Sequence, residues 1–418
     1  MQPHVVVVGA GFAGVWAVRR LAKRGVARIT LVEQNNYHTF YPLLYQVAAA
    51  ELGPTSVAYP VRSLLRGLHK VRFKLGRLES VDVEAKSVVV EGEVIDYDAL
   101  LLATGSVPNF FGVEGAESFA FRLRELSDAL PLRQQVLAQF EVAAQVPPGP
   151  GRTEALSFVI VGGGATGVEF AGALSELIYG PLLRDFPEIG ADEVSITLVE
   201  GGARLLASMH ESSSAYAASR LTARKVDLRM GQIVQRVTAD GVEFKDGSGL
   251  VANTVVWTAG IQGDPLFRDG GGLEVGAGGR IKVDPTLQAR GAPDVFIAGD
   301  LALAEHDGAV LPQVAPVAIQ QGEAAAENIA RRLAHQTPIP FVYDDPGMLA
   351  VIGRYAAVAE VGGYRGKGIV AWAVWALVHI RALVGFRNRF LVMVNWAWNY
   401  LSFSRAVRLI LPERDEKR

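Results

Sequence analysis

Two stretches of the chain share one hydropathy pattern. Val5 to Gly14 reads VVVVGAGFAG, and Phe158 to Gly167 reads FVIVGGGATG. Each starts as a β-branched apolar run of strand length, breaks at a glycine turn and continues with the apolar periodicity of a helix. Each is followed by a second apolar run, ITLVE, that ends on an acid: Glu33 in the first unit and Glu200 in the second. Strand, glycine turn, helix, strand and terminal acid, present twice, predict two dinucleotide-binding units in one chain.

The intervening pattern places the units. Val81 to Val94 alternates as strands do, and DYDALLLATGS (Asp96 to Ser106) is a strand entering a glycine turn. A helical stretch runs from about Phe121 to Gln145, and PPGPG (Pro147 to Gly151) is a linker ahead of the second unit. Past Glu200, Val242 to Val256 is strand-like and ends in VVWTAG (Val255 to Gly260). DVFIAGD (Asp294 to Asp300) is a further strand, and a helix follows from about Val317 to His335. The order predicts an α/β fold of two Rossmann-like dinucleotide-binding domains, the second inserted in the first. The expected bounds are 1–120 and 261–339 for the first domain and 121–260 for the second. Residues 340–418 form a C-terminal region of different character, expected to be helical and membrane-associating.

That region holds no Asp or Glu from Val361 to Pro412. It carries Arg365, Lys367, Arg381, Arg387, Arg389, Arg405 and Arg408, with four of the chain's six tryptophans. IVAWAVWALVHI (Ile369 to Ile380) is apolar until Arg381, and Phe390 to Phe403 is broken by Asn395 and Asn399. Both runs fall short of the roughly 20 residues that a spanning helix needs. Short apolar helices with tryptophan and flanking arginine suit attachment to a lipid bilayer surface. A dimer interface or a cap over the core is the alternative, and both can hold together.

Composition narrows the chemistry. The 418 residues are 50% apolar with a net charge of −2, so no nucleic-acid footprint is expected. Cysteine is absent, which excludes structural disulfides, thiolate metal sites and a redox-active cysteine pair. No two of the seven histidines sit at ligand spacing such as HxxxH, and no metal is expected. No basic leader or cleavage pattern precedes Val5, so the folded bulk is expected in the cytoplasm.

The glycines have distinct tasks. Gly9 permits the tight turn, Gly11 lets a pyrophosphate approach the backbone, and Gly14 lets helix and strand pack closely. The helix N-terminus adds free N–H groups and partial positive charge. Glu33 stands 19 residues past Gly14, placed to accept from an adenosine ribose. Gly162, Gly164, Gly167 and Glu200 repeat the arrangement, with GPLLRDFPEIG (Gly180 to Gly190) lengthening the crossover. A carboxylate at 200 opposes a 2′-phosphate, favouring NADH over NADPH, and nearby Arg204 softens that preference.

With the turns ATG (Ala103 to Gly105), TAG (Thr258 to Gly260) and VFIAGD, residues 4 to 335 resemble the two-dinucleotide-binding-domain flavoprotein superfamily. The resemblance implies FAD in the first unit, against Gly9, Gly11, Phe12, Ala13, Gly14, Glu33, Thr104, Gly105, Gly299 and Asp300. It implies NADH in the second, against Gly162, Gly164, Gly167, Glu200 and Gly260. NNYHTFYPLLYQVA (Asn35 to Ala48), GGGATGVEFAGALSE (Gly162 to Glu176), APVAIQQG (Ala315 to Gly322) and the tail pieces AWAVWALVHI and GFRNRF are similar to type II NADH:quinone oxidoreductases.

Membership of that family implies that Glu169 lies near nicotinamide, flavin and quinone and handles a proton. Read by itself, Glu169 is an ordinary first-turn helix glutamate favoured by the dipole. The resemblance further implies that Ala318 and Ile319 offer backbone N–H groups to FAD and that Gln320 offers an amide near the quinone pocket. Tyr41, Leu43, Leu44, Tyr45 and Gln46 are implied to lie beside the flavin on the acceptor side. Many members read AQxAxQ; here Pro316 stands at the first glutamine, removes that amide and suits a helix's first turn. The implied activity passes a hydride from NADH to FAD and two electrons to a membrane quinone, without proton pumping. The implied protein is a homodimer held peripherally on the cytoplasmic face. Sulfide:quinone and thioredoxin-reductase-type enzymes need cysteines and are excluded. An NAD(P)H-dependent ferredoxin reductase and a flavin-containing NADH-binding signalling or scaffold protein stay open as alternatives.

Overall fold

A computed structural model describes residues 2–402, 405 and 407–410. The chain folds into two compact units. One comprises Met1–Thr39, Tyr59–Val107 and Ile261–Pro346, the other Phe40–Ala58, Pro108–Gly260 and Gly347–Arg418. The first contributes β1 (His4–Val8), α1 (Phe12–Arg24), β2 (Arg28–Glu33) and β3 (Ala99–Leu102). The second then contributes β4 (Ser157–Val161), α2 (Ala165–Leu177), β5 (Ser195–Glu200) and β6 (Thr254–Trp257). The first resumes with β7 (Ala292–Ile297) and α3 (Ala315–Leu333), and the second ends with α4 (Ile369–Ala382) and α5 (Phe386–Ser402).

In the first unit a six-stranded sheet runs Gln288–Ala289, β7, β3, β1, β2, Val71–Leu75, parallel except at the Gln288–Ala289 edge. In the second a five-stranded parallel sheet runs Phe121–Arg122, β6, β4, β5, Val226–Met230. All five residues of β1 and of β4 are buried, as central strands covered on both faces require. That is why both read as unbroken apolar runs rather than alternating ones. The duplication extends to register: Val8 pairs Val32, Val161 pairs Val199, and the glycine turn follows at once in each case. Each unit also carries a three-stranded antiparallel sheet, at residues 78–96 in the first and 234–251 in the second.

Three boundaries differ from expectation. The first unit's early part ends at 107 rather than 120. Phe110 packs on Trp257, Glu114 bridges Arg236 and Phe121–Arg122 pairs with β6, which assigns this stretch to the second unit. Residues 40–58, read as part of the first domain, also belong to the second unit. The tail is not separate either. Residues 348–368 form an antiparallel sheet that lies against α2. Gly172 permits that approach, since a Cβ there would sit 2.1 Å from the Ile352 carbonyl oxygen.

Gly172→Ala is therefore expected to cost about 1–3 kcal/mol through overpacking against an immovable carbonyl. Gly180→Ala, in open space on the same unit, should stay within about 0.5 kcal/mol of wild type. Equal midpoints in denaturant unfolding would show that the tail sheet does not rest on α2.

Candidate functional site

The two glycine turns are built alike. Gly9 has φ +101°, and a Cβ there would lie 2.2 Å from the Ala103 carbonyl oxygen; a Cβ on Gly14 would lie 1.8 Å from the Gly9 oxygen. Gly162 has φ +115° with Ala259 N at 2.7 Å from its Cβ position, and a Gly167 Cβ would lie 1.8 Å from the Gly162 oxygen. The middle glycines differ. Gly11 and Gly164, the N-caps of α1 and α2, face open space, and neither helix start is capped by a side chain. Packing demands the outer glycines, whereas the middle ones leave the helix N–H groups open to an anion.

The two acids do more than the sequence reading assigned them. Glu33 accepts from the N–H of Ala10 at 2.7 Å and of Asn35 at 3.0 Å. Glu200 accepts from the N–H of Gly163 and of Gly202, both at 2.6 Å. Each carboxylate thus ties the glycine turn to the end of the neighbouring strand, and each oxygen keeps lone-pair capacity for a ribose hydroxyl. Arg204 donates to the carbonyls of Met209 (2.6 Å) and Ala207 (2.7 Å), so its guanidinium is held by its own loop.

Around the first turn several buried polar atoms stand without partners. The Thr104 hydroxyl, in the ATG turn beside open Gly105 (φ +80°), is one. Another is Nε2 of Gln321, a residue the sequence reading missed; it is wholly buried, and its Oε1 accepts from the Gly299 N–H at 2.8 Å. A third is Nε2 of His38, also missed. Its Nδ1 donates to the Ala10 oxygen at 2.7 Å, and burial pushes its pKa down to about 4, so the ring is neutral. Gly299 (φ +76°) would bring a Cβ within 3.3 Å of Ala13 and 3.5 Å of Ala318. Asp300 next to it accepts from the Ser106 hydroxyl at 2.7 Å. The orphaned polar atoms border the glycine, ATG and GD turns, and a cradle of this chemistry fits FAD. Only the Gln321 and His38 neighbours in sequence, QG and YHT, hinted at them.

The structure commits the Ala318 N–H and the amides of Gln320 and Gln46 to partners within the protein. The Ala318 N–H bonds the Val314 oxygen at 3.1 Å, and Ile319 lies one residue deeper in α3. The open N–H groups of this helix are those of Ala315 and Val317, because the first turn alone lacks i−4 carbonyls. The Gln320 amide is committed at both ends to the backbone of Asp344, at 2.7 Å and 3.0 Å. Gln46, buried in the second unit, accepts from the Trp396 indole at 2.9 Å and donates to the Tyr45 hydroxyl at 3.0 Å. Its amide serves the tail helix α5. Gly260 (φ +91°), in the turn after β6, lies under the Phe111 ring, whose Cζ lies 2.5 Å from a Cβ position there.

Glu169 lies in the second turn of α2, half-buried, where the Val351 N–H donates to it at 3.2 Å. Burial pushes its carboxyl up to about 8, against the opposing pull of Val351 and of the Trp375 indole. The Trp375 N–H makes no hydrogen bond of ordinary geometry. Burial thus favours the protonated form of Glu169, one helix turn past the second cradle.

These features define an oxidoreductase with a pair of dinucleotide cradles. Residues 3–322 match the family described as pyridine nucleotide-disulphide oxidoreductase, and residues 346–406 match the NDH2 C-terminal domain. The chain is 34% identical to a type II NADH:quinone oxidoreductase of Mycobacterium tuberculosis, over 98% of this chain and 91% of that one. It is 32% identical to the Staphylococcus aureus enzyme of the same name, over 87% and 90%. The fold superposes on NDH2 from Plasmodium falciparum in complex with NADH with a TM-score of 0.88 at 18% identity, covering 99% and 100%. The chain belongs to the type II NADH:quinone oxidoreductase family.

Two outcomes follow. Glu200→Ala removes two charge-assisted bonds from the second turn, each of about 1.5–3 kcal/mol, and should raise the KM for NADH at least tenfold while flavin content holds. An unchanged KM would show that the carboxylate does not shape that turn. For Glu169 the folded pKa of about 8 exceeds the ordinary 4.5, so the unfolded chain loses this proton first. Stability contributed by the neutral form is complete below about pH 4.5 and is lost as pH rises to 8. Relative to Glu169→Gln, wild type should lose unfolding free energy across that window and run parallel above it. Parallel curves throughout would place Glu169 in solvent.

Proposed function

We propose that the protein is a membrane-surface NADH:quinone oxidoreductase that carries FAD and moves no protons across the membrane. The observation that carries this reading is the place of Glu169, under the Val351 N–H on the helix that leaves the Glu200-braced cradle, in the same unit as the tryptophan- and arginine-rich tail. FAD, held by Gly9, Gly11, Gly14, Glu33, Thr104 and Asp300, supplies a two-electron carrier between nicotinamide and quinone. The second cradle holds the NADH pyrophosphate at the open end of α2 and its ribose at Glu200. Quinone reduction takes two electrons and two protons. NADH brings one proton's worth of hydrogen as hydride, and the Glu169 carboxyl supplies the other, to be refilled from water.

The tail supports membrane attachment. Phe386 is 84% exposed, Leu377 69% and Trp398 62%, with Ile369, Val370 and Phe390 more than half exposed. Arg381 and Arg387 are exposed among them. Exposed side chains of this kind contribute roughly 1.5–3 kcal/mol each when buried in lipid, and each cation about 1 kcal/mol at an anionic leaflet. No helix of the described residues is long and apolar enough to cross a membrane. Attachment to the cytoplasmic face and a homodimer sharing part of this apolar surface complete the reading. A soluble ferredoxin reductase has no use for such a surface, which ranks that alternative second.

The holoprotein should oxidise NADH with short-chain quinones and sediment with anionic vesicles. Leu377→Ser with Phe386→Ser should weaken vesicle binding at least tenfold. Rapid reduction of ferredoxin with no turnover of quinones would reject the proposal.

A further inference from the structure

Helix α5 has two faces. Phe390, Met393, Val394 and Trp398 are exposed. The opposite stripe, Asn388, Val392, Trp396 and Asn399, recurs at helical spacing and is buried. Its polar members all bond one segment. Asn388 donates to the Ala58 oxygen (3.3 Å), the Trp396 indole to Oε1 of Gln46 (2.9 Å) and Asn399 to the Glu51 oxygen (3.2 Å). Arg405, beyond the helix, is buried and completes the set. Its Nη1 donates to the oxygens of Ala49 (2.6 Å) and Ala173 (2.9 Å), and its Nη2 faces the carboxylates of Glu176 (3.4 Å) and Glu51 (3.9 Å).

Ala50 (φ +55°) turns the chain at the end of the short helix Leu44–Ala48, where the Glu51 N–H returns to the Gln46 oxygen at 2.7 Å. That turn leaves the carbonyls of Ala49 and Glu51 pointing away from the helix, and these are the two that Arg405 and Asn399 hold. Arg405 also grips α2 at Ala173, four residues past Glu169 on the same helix.

We infer that the tail is a template for the acceptor side: Arg405, Trp396 and Asn399 are positioning residues that hold residues 46–52 in the shape that receives the quinone, independently of lipid. This rests on the reading that residues 41–46 border the acceptor. It differs from simple anchoring, because the bonds belong to the face of α5 turned away from solvent.

The test uses full-length, FAD-loaded protein in detergent without membranes. Arg405→Met, Arg405→Lys and Trp396→Phe are compared with wild type for NADH:ferricyanide turnover, for KM and kcat with a short-chain quinone, and for amide exchange of residues 46–52. Arg405→Met should raise the quinone KM about tenfold and speed exchange at 46–52 by a similar factor, with ferricyanide turnover and vesicle binding within twofold. Arg405→Lys should recover part of the KM, and Trp396→Phe, which loses the indole donor and part of the packing on Trp375, should raise it several-fold. Exchange at 46–52 unchanged in Arg405→Met overturns the inference, as does parallel loss of ferricyanide and quinone turnover in both Arg405→Met and Trp396→Phe. Wild-type protein that turns over ferricyanide but no quinone rejects the acceptor reading instead, and the exchange result still decides whether the tail holds the segment.

Discussion

A carboxylate bonded to the peptide N–H groups of a glycine turn is the interaction on which both halves of this protein depend. A turn of this kind presents several donors in one direction and tolerates no side chain, so it has little apolar contact to hold its shape. Glu33 and Glu200 supply that hold from the end of the adjacent strand. The arrangement works only if strand, turn and next strand stand in fixed register, which the matched pairs Val8–Val32 and Val161–Val199 provide. The same carboxylates are the groups best placed to meet ribose hydroxyls. A substitution at either acid therefore disturbs the turn itself.

From that device the chemistry follows by elimination as much as by construction. Two cradles allow a nicotinamide and a flavin, and a chain with no cysteine has no thiol through which electrons could leave. The second unit gathers a carboxyl whose proton affinity is raised by burial, an apolar helical tail with cations, and a segment, 46–58, tied to that tail by side-chain bonds; these are the parts that the proposed quinone reduction would use.

Much of this was legible in residue order, and the failures are instructive. Gly9, Gly14, Gly162 and Gly167 are read easily because a Cβ at each would strike backbone, a demand that no alternative residue meets. The insertion of one unit in the other follows from the order of the strands. The partners of Gln320 and Gln46, at Asp344 and Trp396, were not legible, because a side-chain amide has no fixed partner in sequence and each is set by tertiary packing. Ala318 was misjudged by one residue: only the N–H groups ahead of the first i−4 bond are open, that bond is made by Ala318 itself, and the cap at Val314 is not marked by a capping residue. Residues 40–58 were assigned to the wrong unit because their burial is decided by Asn388, Asn399 and Arg405, more than 300 positions away.

The central claim is that electrons enter from NADH at the second cradle and leave to a quinone. Two-stage anaerobic mixing tests it directly: the FAD-loaded protein meets one equivalent of NADH, and a short-chain quinone follows, with the visible flavin absorbance recorded throughout. The account predicts rapid bleaching on the first addition and full return of colour on the second. Colour that survives NADH, or bleaching that quinone leaves unreversed, would contradict it.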